Sequence, residues 1–322
     1  MNNTLRKNKL FLQIYPLYCL VMTRMGLFKL KSYIRQKLWL KRIVREDEEL
    51  KRTIQNKIFA LPFNLLTNEI ASDDFIFSLT SYGKRVYESL PYALYSLIVQ
   101  SLSPKKIVVY LDNDNWSDDK LPLLLQHLKK VGVDIRYCKD IKSYKKLLPA
   151  LKDFPNNPII TLDDDFYYNI DYHLWMRKAY DNSNKKTILG QWGCIPKMMN
   201  GKYLPYSEWK DCKYANEDSE ISFFGSCCCY PPHVFDDEIF NEKIFMTYCP
   251  TADDIWFWAM EERLKIKKQY ITPYGYGLNR SVNRIVEYEG NQQDTLMFHN
   301  VIEGKNDKQL RNVIDYYHLE NK

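Results

Sequence analysis

The sequence predicts an α/β fold, with a mainly parallel sheet covered by helices on both faces and a helical region before it. Short apolar segments of strand length alternate with segments that carry apolar residues at helical spacing, which is typical of parallel sheets. Several of these strands end in polar or acidic loops, as strands do at the ligand-binding edge of a nucleotide-binding half-sheet. The chain has 322 residues, 45% of them hydrophobic, which suffices for one sizeable domain with appendages.

Four short runs rich in β-branched or aromatic residues predict the strands of this half-sheet. These strands are 75–79, 106–111, 133–137 and 159–162. The helices predicted between them are 91–101, 121–131 and 142–152, with Gly132 placed to end the second. Further along, the pattern predicts helices at 171–182, 251–268 and 307–319 and a strand at 187–192. Residues 193–222 are polar, aromatic and irregular, which favours a substrate-facing excursion.

The N-terminal region, residues 1–70, is predicted to be a basic helical segment that precedes a catalytic domain over 71–322. Pro16 and Arg24 interrupt its apolar stretch, whereas a membrane span needs about 20 consecutive apolar residues. Residues 32–58 carry Lys, Arg, Trp39 and Leu at helical spacing, which favours an amphipathic helix on the cytoplasmic leaflet of a membrane. The alternative is a helix packed on the catalytic domain with a solvated basic face.

Composition excludes some classes of function. The formal net charge is +6, but no RNA- or DNA-binding signature accompanies it, so we expect no nucleic-acid partner. The eight cysteines include no CxxC pair, and Cys227–Cys229 are consecutive. Because neighbouring strand residues point to opposite faces, these three cannot all ligate one metal. The pattern favours free thiols in a reducing cytoplasm.

The acidic run Asp163-Asp164-Asp165 directly follows the fourth strand. Three adjacent carboxylates repel one another unless a cation lies among them, and Mg²⁺ or Mn²⁺ with one or two carboxylate ligands and substrate phosphates would fit. Asp163 and Asp165 project to the same side of an extended backbone, so we predict them as metal ligands, with Asp165 as first choice. The alternative is an acidic turn or cap.

No G-x-x-x-x-G-K-[ST] loop and no G-x-G-x-x-G fingerprint occur, which disfavours P-loop NTPases and dinucleotide dehydrogenases. Anion binding would then depend on side chains. Asp112, after the second strand, could accept hydrogen bonds from a ribose or base, or form a turn. The candidate cations, each of which could also be a solvated surface charge, are Arg85, Lys142, Lys145 and Lys146.

A second acidic pair, Asp253 and Asp254, stands at the start of the predicted helix 251–268. One of these carboxylates could be a general base near the first acidic run. Thr251 and Asp254 also come close to a capping box, which could explain both residues without catalysis. His299 is a candidate third metal ligand, and its alternative is a structural histidine.

The order of these pieces resembles the GT-A glycosyltransferase fold, and especially bacterial family-2-like enzymes from capsule and lipopolysaccharide loci. The resemblance covers residues 74 to about 300. The matching segments are FSLTSYGKR, IVVYLD, SYKKLLPAL, PIITLDDDFYY, FFGSCCCYPP and CPTADDIWFWAM.

The resemblance implies a role for each matching residue. Asp163 and Asp165 take the positions of the DxD motif, which holds a divalent metal and the donor diphosphate. The second acidic motif implies a general base at Asp254 or Asp253, and the FFGS loop resembles a Gly-containing turn near donor and acceptor. The residues with implied donor-binding roles are Thr80, Tyr82, Arg85, Asp112, Lys145 or Lys146, and Asp164.

The resemblance further implies a Rossmann-like GT-A domain and a metal-dependent glycosyltransferase of the hexosyltransferase class. Such an enzyme takes a nucleotide-diphosphate sugar and transfers the sugar, with inversion, to a saccharide or lipid-linked saccharide in surface polysaccharide synthesis. We expect it in the cytoplasm, with peripheral contact to the inner face of the cytoplasmic membrane through residues 1–57. The alternatives are a nucleotidyltransferase, a metal-dependent phosphohydrolase and a non-catalytic scaffold that keeps the fold.

Overall fold

The computed structural model describes residues 27–66, 73–215, 219–271, 282–285 and 304–320, in two compact units, 1–52 and 53–322. The predicted domain boundary at residue 70 lies outside the described residues. Helix α1, Leu27–Phe59, begins in the first unit. Within that unit Ile34, Leu38 and Trp39 are exposed, and Arg42 donates to Glu46 over 2.7 Å. No helix of the described chain is long and apolar enough to cross a membrane.

The second unit is built on a seven-stranded sheet. In chain order its strands are β1 (Ile76–Thr80), β2 (Lys106–Asp112), β3 (Asp134–Cys138), β4 (Ile159–Leu162), β6 (Ile188–Gly190), β12 (Cys228–Tyr230) and β13 (Lys268–Tyr270). Their spatial order is β13-β6-β12-β4-β1-β2-β3. All neighbouring pairs are parallel except those of β12, which runs antiparallel to β4 and β6. The predicted fold class, a mainly parallel sheet, is confirmed.

The remaining described elements surround this sheet. The helices are α2 (Arg85–Glu88), α3 (Leu90–Ile98), α4 (Leu123–Val131), α5 (Leu148–Asp153), α6 (Tyr172–Asn182), α7 (Glu242–Tyr248), α8 (Asp253–Arg263) and α9 (Lys305–Tyr317). The short strands are β5 (Phe166–Tyr168), β7 (Gly193–Ile195), β8 (Met198–Met199), β9 (Lys202–Tyr203), β10 (Lys210–Asp211), β11 (Ser222–Phe223) and β14 (Val282–Arg284). Thus the described part of 193–222 contributes to a small sheet, β10-β7-β11, and contains the hairpin β8-β9, rather than being wholly irregular chain.

Helices cover both faces of the sheet because its central strands are apolar on both sides. Alternate residues of β1 separate into two cores: Phe77 and Leu79 join one cluster, and Ile76 joins the other. The cysteine run follows the same rule, since Cys227 and Cys229 belong to the first cluster and Cys228 to the second. Every cysteine in the described residues is a free thiol.

Local boundaries differ from the sequence-based predictions where long-range pairing intervenes. The helix predicted over 251–268 ends at Arg263, because Lys265 adopts a φ of 52° and Lys268–Tyr270 pairs with β6. The helix predicted over 142–152 is divided into a 3₁₀ helix, Lys142–Lys146, and the α-helix α5. The loop after β1 contains the short helix α2.

Candidate functional site

The acidic run lies between β4 and β5, at the carboxyl edge of the sheet. Asp164 and Asp165 are both buried. Ser81 donates its hydroxyl to one oxygen of Asp164, and Arg85 Nη1 donates to the other over 3.1 Å. Burial and the neighbouring Asp165 raise the pKa of Asp164 to about 7, although Arg85 and Ser81 oppose this shift. Asp164 is therefore anchored to the loop after β1.

Arg85 joins that loop to a second member of the run. Its Nη2 lies 3.4 Å from Asp165 Oδ2, and its guanidinium lies 5.5 Å from the centre of the exposed Tyr82 ring. The first-strand loop predicted to contact the donor thus places a cation beside two of the three carboxylates.

Asp163 is the half-buried member, and it faces a different cation. Its Oδ1 lies 3.6 Å from Lys146 Nζ. Tyr168 holds the backbone in place, since its hydroxyl accepts from Asp163 N over 2.8 Å and donates to Asp163 O over 3.0 Å. The run therefore faces two cations, Lys146 at Asp163 and Arg85 at Asp164 and Asp165.

Lys146 connects the two acidic motifs. Its Nζ lies 3.4 Å from Asp253 Oδ2, and Ser143, in the same 3₁₀ helix, donates to Asp253 Oδ1 over 2.7 Å. Burial disfavours the ammonium, but Asp253 and Asp163 outweigh burial and raise the pKa of Lys146. The ammonium is therefore charged, and it lies between carboxylates that are 90 positions apart in the chain.

Gly225 makes room for this arrangement. Its φ of 68° is in the left-handed region, which glycine adopts without strain. A Cβ at this position would lie 3.3 Å from Lys146 Nζ and 3.5 Å from Asp253 Oδ2. The FFGS loop, predicted from the resemblance to lie near donor and acceptor, thus borders Lys146 and the second acidic motif.

Asp254 contacts the excursion, and the positive charge of Lys146 also acts on it. Tyr206, in the 3₁₀ helix Tyr206–Glu208, donates its hydroxyl to Asp254 Oδ2 over 3.3 Å. Burial and the adjacent Asp253 charge raise the pKa of Asp254. The capping-box alternative is wrong, because Ala252 is the N-cap of α8 and no side chain caps it.

The other predicted site residues have partners of their own. Thr80 donates to Tyr110 O over 2.8 Å, and Asp112 accepts from the backbone and side chain of Asn115, as a turn-forming Asp does. Lys145 is buried and pairs with Asp140. His299 lies outside the described residues.

Four residues at the site were not singled out from the sequence as site residues. Ser81 and Ser143 lie inside segments that carried the resemblance, but a serine hydroxyl has no pattern that marks a carboxylate partner. Gly225 is part of the FFGS match, and only its positive φ reveals why a glycine stands there. Tyr206 is one of 25 tyrosines, and no local signal distinguishes it.

The charge and ligand type of the acidic run fit a divalent cation. Asp163 lies 3.6 Å from the Lys146 ammonium, Asp165 lies 3.4 Å from the Arg85 guanidinium, and Asp164 accepts from Ser81 and Arg85. Two carboxylates with substrate phosphates and waters would complete the octahedral oxygen shell of Mg²⁺. Across the described ranges, no group of three His, Cys, Asp or Glu side chains is arranged to hold a metal by itself.

No protein-family model matches the chain, and no curated protein matches it. Among solved structures, TarS from S. aureus with UDP has 14% identity and a TM-score of 0.39 over 62% of this chain and 58% of TarS 1–349. TarS with UDP-GlcNAc has 14% identity and a TM-score of 0.42, over 69% and 60%. The cytidylyltransferase IspD from Francisella tularensis has 12% identity and a TM-score of 0.38, over 70% and 97%. The chain thus spans less than two thirds of these TarS structures.

We expect Lys146→Met to destabilise the fold by about 3–5 kcal/mol, because it leaves Asp253 buried without its cation. Urea unfolding followed by circular dichroism measures this change. In the Lys146→Met background, Asp253→Asn should recover part of the loss, since the uncompensated charge is gone. Additive effects of the two substitutions would contradict the pairing. Lys197→Met, at an exposed lysine, is the control.

Proposed function

We propose that the chain is a metal-dependent glycosyltransferase that moves a sugar from a nucleotide-diphosphate sugar to an acceptor hydroxyl. The observation that carries this proposal is the position of Lys146, whose ammonium lies within 3.6 Å of Asp163 and 3.4 Å of Asp253. Both acidic motifs therefore border one site. One motif suits a metal–diphosphate complex, and the other supplies a carboxylate that can take a proton.

The donor diphosphate belongs on the side of the acidic run. Asp163 and Asp165 would hold the divalent cation, which supplies Lewis-acid stabilisation of the leaving diphosphate when it is bound. Arg85 and Lys146 add two fixed positive charges at the same edge of the sheet. Charges placed in advance around a developing anion stabilise the transition state without reorganisation.

Asp254 is the better candidate for the general base. Both carboxylate oxygens of Asp253 face protein partners, Ser143 and Lys146, so Asp253 positions the ammonium. Asp254 is half-buried, it faces Tyr206 of the excursion, and its raised pKa makes it a stronger base than an ordinary aspartate.

In the proposed reaction the acceptor hydroxyl gives its proton to Asp254, and its oxygen forms a bond to the anomeric carbon. The bond from that carbon to the diphosphate oxygen breaks, and its electron pair leaves with the nucleoside diphosphate. Because attack occurs on the face opposite the leaving group, the anomeric configuration inverts. The hexosyl donor and a role in surface polysaccharide synthesis are proposed from the sequence resemblance.

We also propose that the first unit contacts an anionic membrane. Residues 27–45 include seven basic residues and no acidic one: Lys29, Lys31, Arg35, Lys37, Lys41, Arg42 and Arg45. The exposed apolar side chains of Ile34, Leu38 and Trp39 lie among them. Apolar side chains that enter the headgroup region, with basic side chains reaching the phosphates, are typical of interfacial helices.

Replacement of Asp254 tests the assignment of the base. We expect Asp254→Asn to lower kcat by about 10²–10⁴-fold, the usual contribution of a general base. Product analysis with UDP-, GDP- and CMP-sugars should show a released nucleoside phosphate and a glycosylated acceptor. Release of pyrophosphate would instead identify a nucleotidyltransferase, and an Asp254→Asn protein with wild-type kcat would refute the assignment.

The pH dependence gives an independent test. Only the carboxylate form of Asp254 can accept a proton, so kcat/KM should fall as pH decreases through an apparent pKa above the ordinary value of about 3.9. Asp253→Asn removes the neighbouring negative charge, so it should lower the pKa of Asp254 and move the fall in kcat/KM to lower pH. If kcat/KM of the Asp253→Asn protein fell at the same pH as that of the wild type, the coupling between the two carboxylates would be contradicted.

Metal removal tests the donor site. A chelator should abolish transfer, and Mn²⁺ or Mg²⁺ should restore it. Asp165→Asn should weaken Mn²⁺ binding in the presence of a nucleoside diphosphate by at least about 10-fold, as titration calorimetry would show. Asp118→Asn, at an exposed carboxylate paired with Lys129, is the control. Transfer that continues in the presence of chelator would remove the metal from the mechanism.

Sedimentation with lipid vesicles tests the membrane proposal. The protein should bind vesicles that contain phosphatidylglycerol and lose this binding in high salt. Arg35→Glu with Lys41→Glu should weaken binding by at least about 10-fold, since each basic residue near the surface contributes about 1 kcal/mol. Lys197→Glu, in the second unit, is the control. Equal binding to phosphatidylcholine vesicles would argue against anionic lipid as the partner.

A further inference from the structure

Helix α9 lies against the second acidic motif, although the two are remote from each other in the chain. Its apolar side chains share a buried cluster with side chains of α8. The members from the two helices include Leu310, Val313, Ile314, Ile255 and Trp256. Two polar side chains near the start of α9 contact the surroundings of this motif: Asp307, which is half-buried, and Gln309, which is buried. The proposed chemistry uses neither of them.

Asp307 holds the segment that carries Tyr206. The first N–H groups of a helix have no partner within it. Tyr206 begins a 3₁₀ helix, and Pro205, which precedes it, offers no capping side chain. Asp307 Oδ1 accepts from Tyr206 N over 2.5 Å. Asp307 is thus a cap supplied by another helix, and it fixes the backbone of the residue whose hydroxyl meets Asp254.

Gln309 holds the chain directly before α8. Its Oε1 accepts from Thr251 N over 2.8 Å and from Thr251 Oγ1 over 3.1 Å. The N-cap of α8 follows Thr251 and has no capping side chain of its own. Helix residues two positions apart point about 200° apart, so Asp307 and Gln309 can reach different segments. Helix α9 therefore anchors both segments that meet at the proposed base.

We propose that Asp307 and Gln309 are positioning residues for the base Asp254, and that Asp307 acts through Tyr206. This inference rests on the proposed function and goes beyond it, because it gives α9 a part in the transfer step. The Tyr206 hydroxyl donates to Asp254 Oδ2, which limits rotation of the carboxylate and fixes the direction of its lone pairs. Misplacement of a reacting group lowers the rate of the chemical step, whereas the donor site on the acidic run stays intact.

Kinetic measurements on α9 variants test the proposal. Asp307→Ala should lower kcat about 3- to 30-fold, the effect of one lost hydrogen bond to a charged group, with KM for the sugar nucleotide unchanged. Gln309→Ala should lower kcat as well. Asp307→Asn keeps an oxygen that accepts from Tyr206 N, and it should restore most of the wild-type kcat. Tyr206→Phe should cause the same loss as Asp307→Ala, and adding Asp307→Ala to it should have no further effect on kcat.

Titration of the Asp254 carboxyl by NMR gives a readout that does not need activity, with the signal assigned by its absence from Asp254→Asn. Burial and Asp253 raise the pKa of Asp254, and the hydrogen bond from Tyr206 opposes them. Both Tyr206→Phe and Asp307→Ala should therefore raise this pKa further. Loss of the Asp307 charge alone would lower it, so a rise identifies the hydrogen bond as the cause. Other titratable groups around Asp254, which these variants leave in place, are Asp253, Lys146, Tyr144, Cys194 and Cys249.

Asp315→Ala and Asn312→Ala are matched controls in the same helix. Asp315 is exposed and pairs with Arg311. Asn312 donates to Tyr248 O over 3.2 Å, so it fastens α9 to the end of α7. Both controls should keep the wild-type kcat and the wild-type pKa of Asp254.

Three results would overturn the proposal: an equal loss of kcat in the controls, additive effects of Asp307→Ala and Tyr206→Phe, or an unchanged pKa of Asp254 in Asp307→Ala. Failure of the proposed function appears separately, as wild-type protein that releases no nucleoside phosphate from any sugar nucleotide. In that case the titration still reports whether Asp307 sets the hydrogen bond between Tyr206 and Asp254.

Discussion

The ammonium of Lys146 between Asp163 and Asp253 is the interaction on which the rest of the site depends. Two carboxylates brought together at a buried edge would repel each other, and desolvation would raise the free energy of each charge. A buried cation within 3.6 Å of both offsets these terms and makes the approach of two distant segments favourable. Gly225 allows the close packing, since its missing side chain leaves space beside the ammonium.

Two cations pair with different members of the acidic run. Arg85 pairs with Asp164 and Asp165, and Lys146 pairs with Asp163. Asp164 and Asp165 lie in a turn rather than in an extended strand, so the prediction that Asp163 and Asp165 share one side does not describe their partners. Asp164 is anchored to Ser81 and Arg85, while Asp163 lies 3.6 Å from Lys146 and Asp165 lies 3.4 Å from Arg85. This arrangement suits a site in which a metal and a diphosphate bind beside fixed protein cations, as the proposed reaction requires.

The topology of the sheet explains why these groups meet. The order β4-β1-β2-β3 places the loops after β1 and β4 side by side, which brings Arg85 to the acidic run. β12 then runs antiparallel beside β4, so the turn before it, with Gly225, returns to the same edge. The adjoining excursion carries Tyr206, which meets Asp254. The change from parallel to antiparallel pairing thus joins the proposed donor site to the proposed base.

The sequence by itself determined the first four parallel strands, the acidic run and the second acidic motif, because apolar runs and clustered carboxylates are local signals. It left open which lysine faces the acids, which aspartate of the second motif forms the ion pair with Lys146, and whether Asp254 caps its helix. Only the tertiary structure decided these points: Lys145 pairs with Asp140, Lys146 with Asp163 and Asp253, and Ala252 is the cap. The physical reason is that neighbouring side chains diverge in a 3₁₀ helix or at a helix start, and their partners come from remote segments that local spacing does not encode.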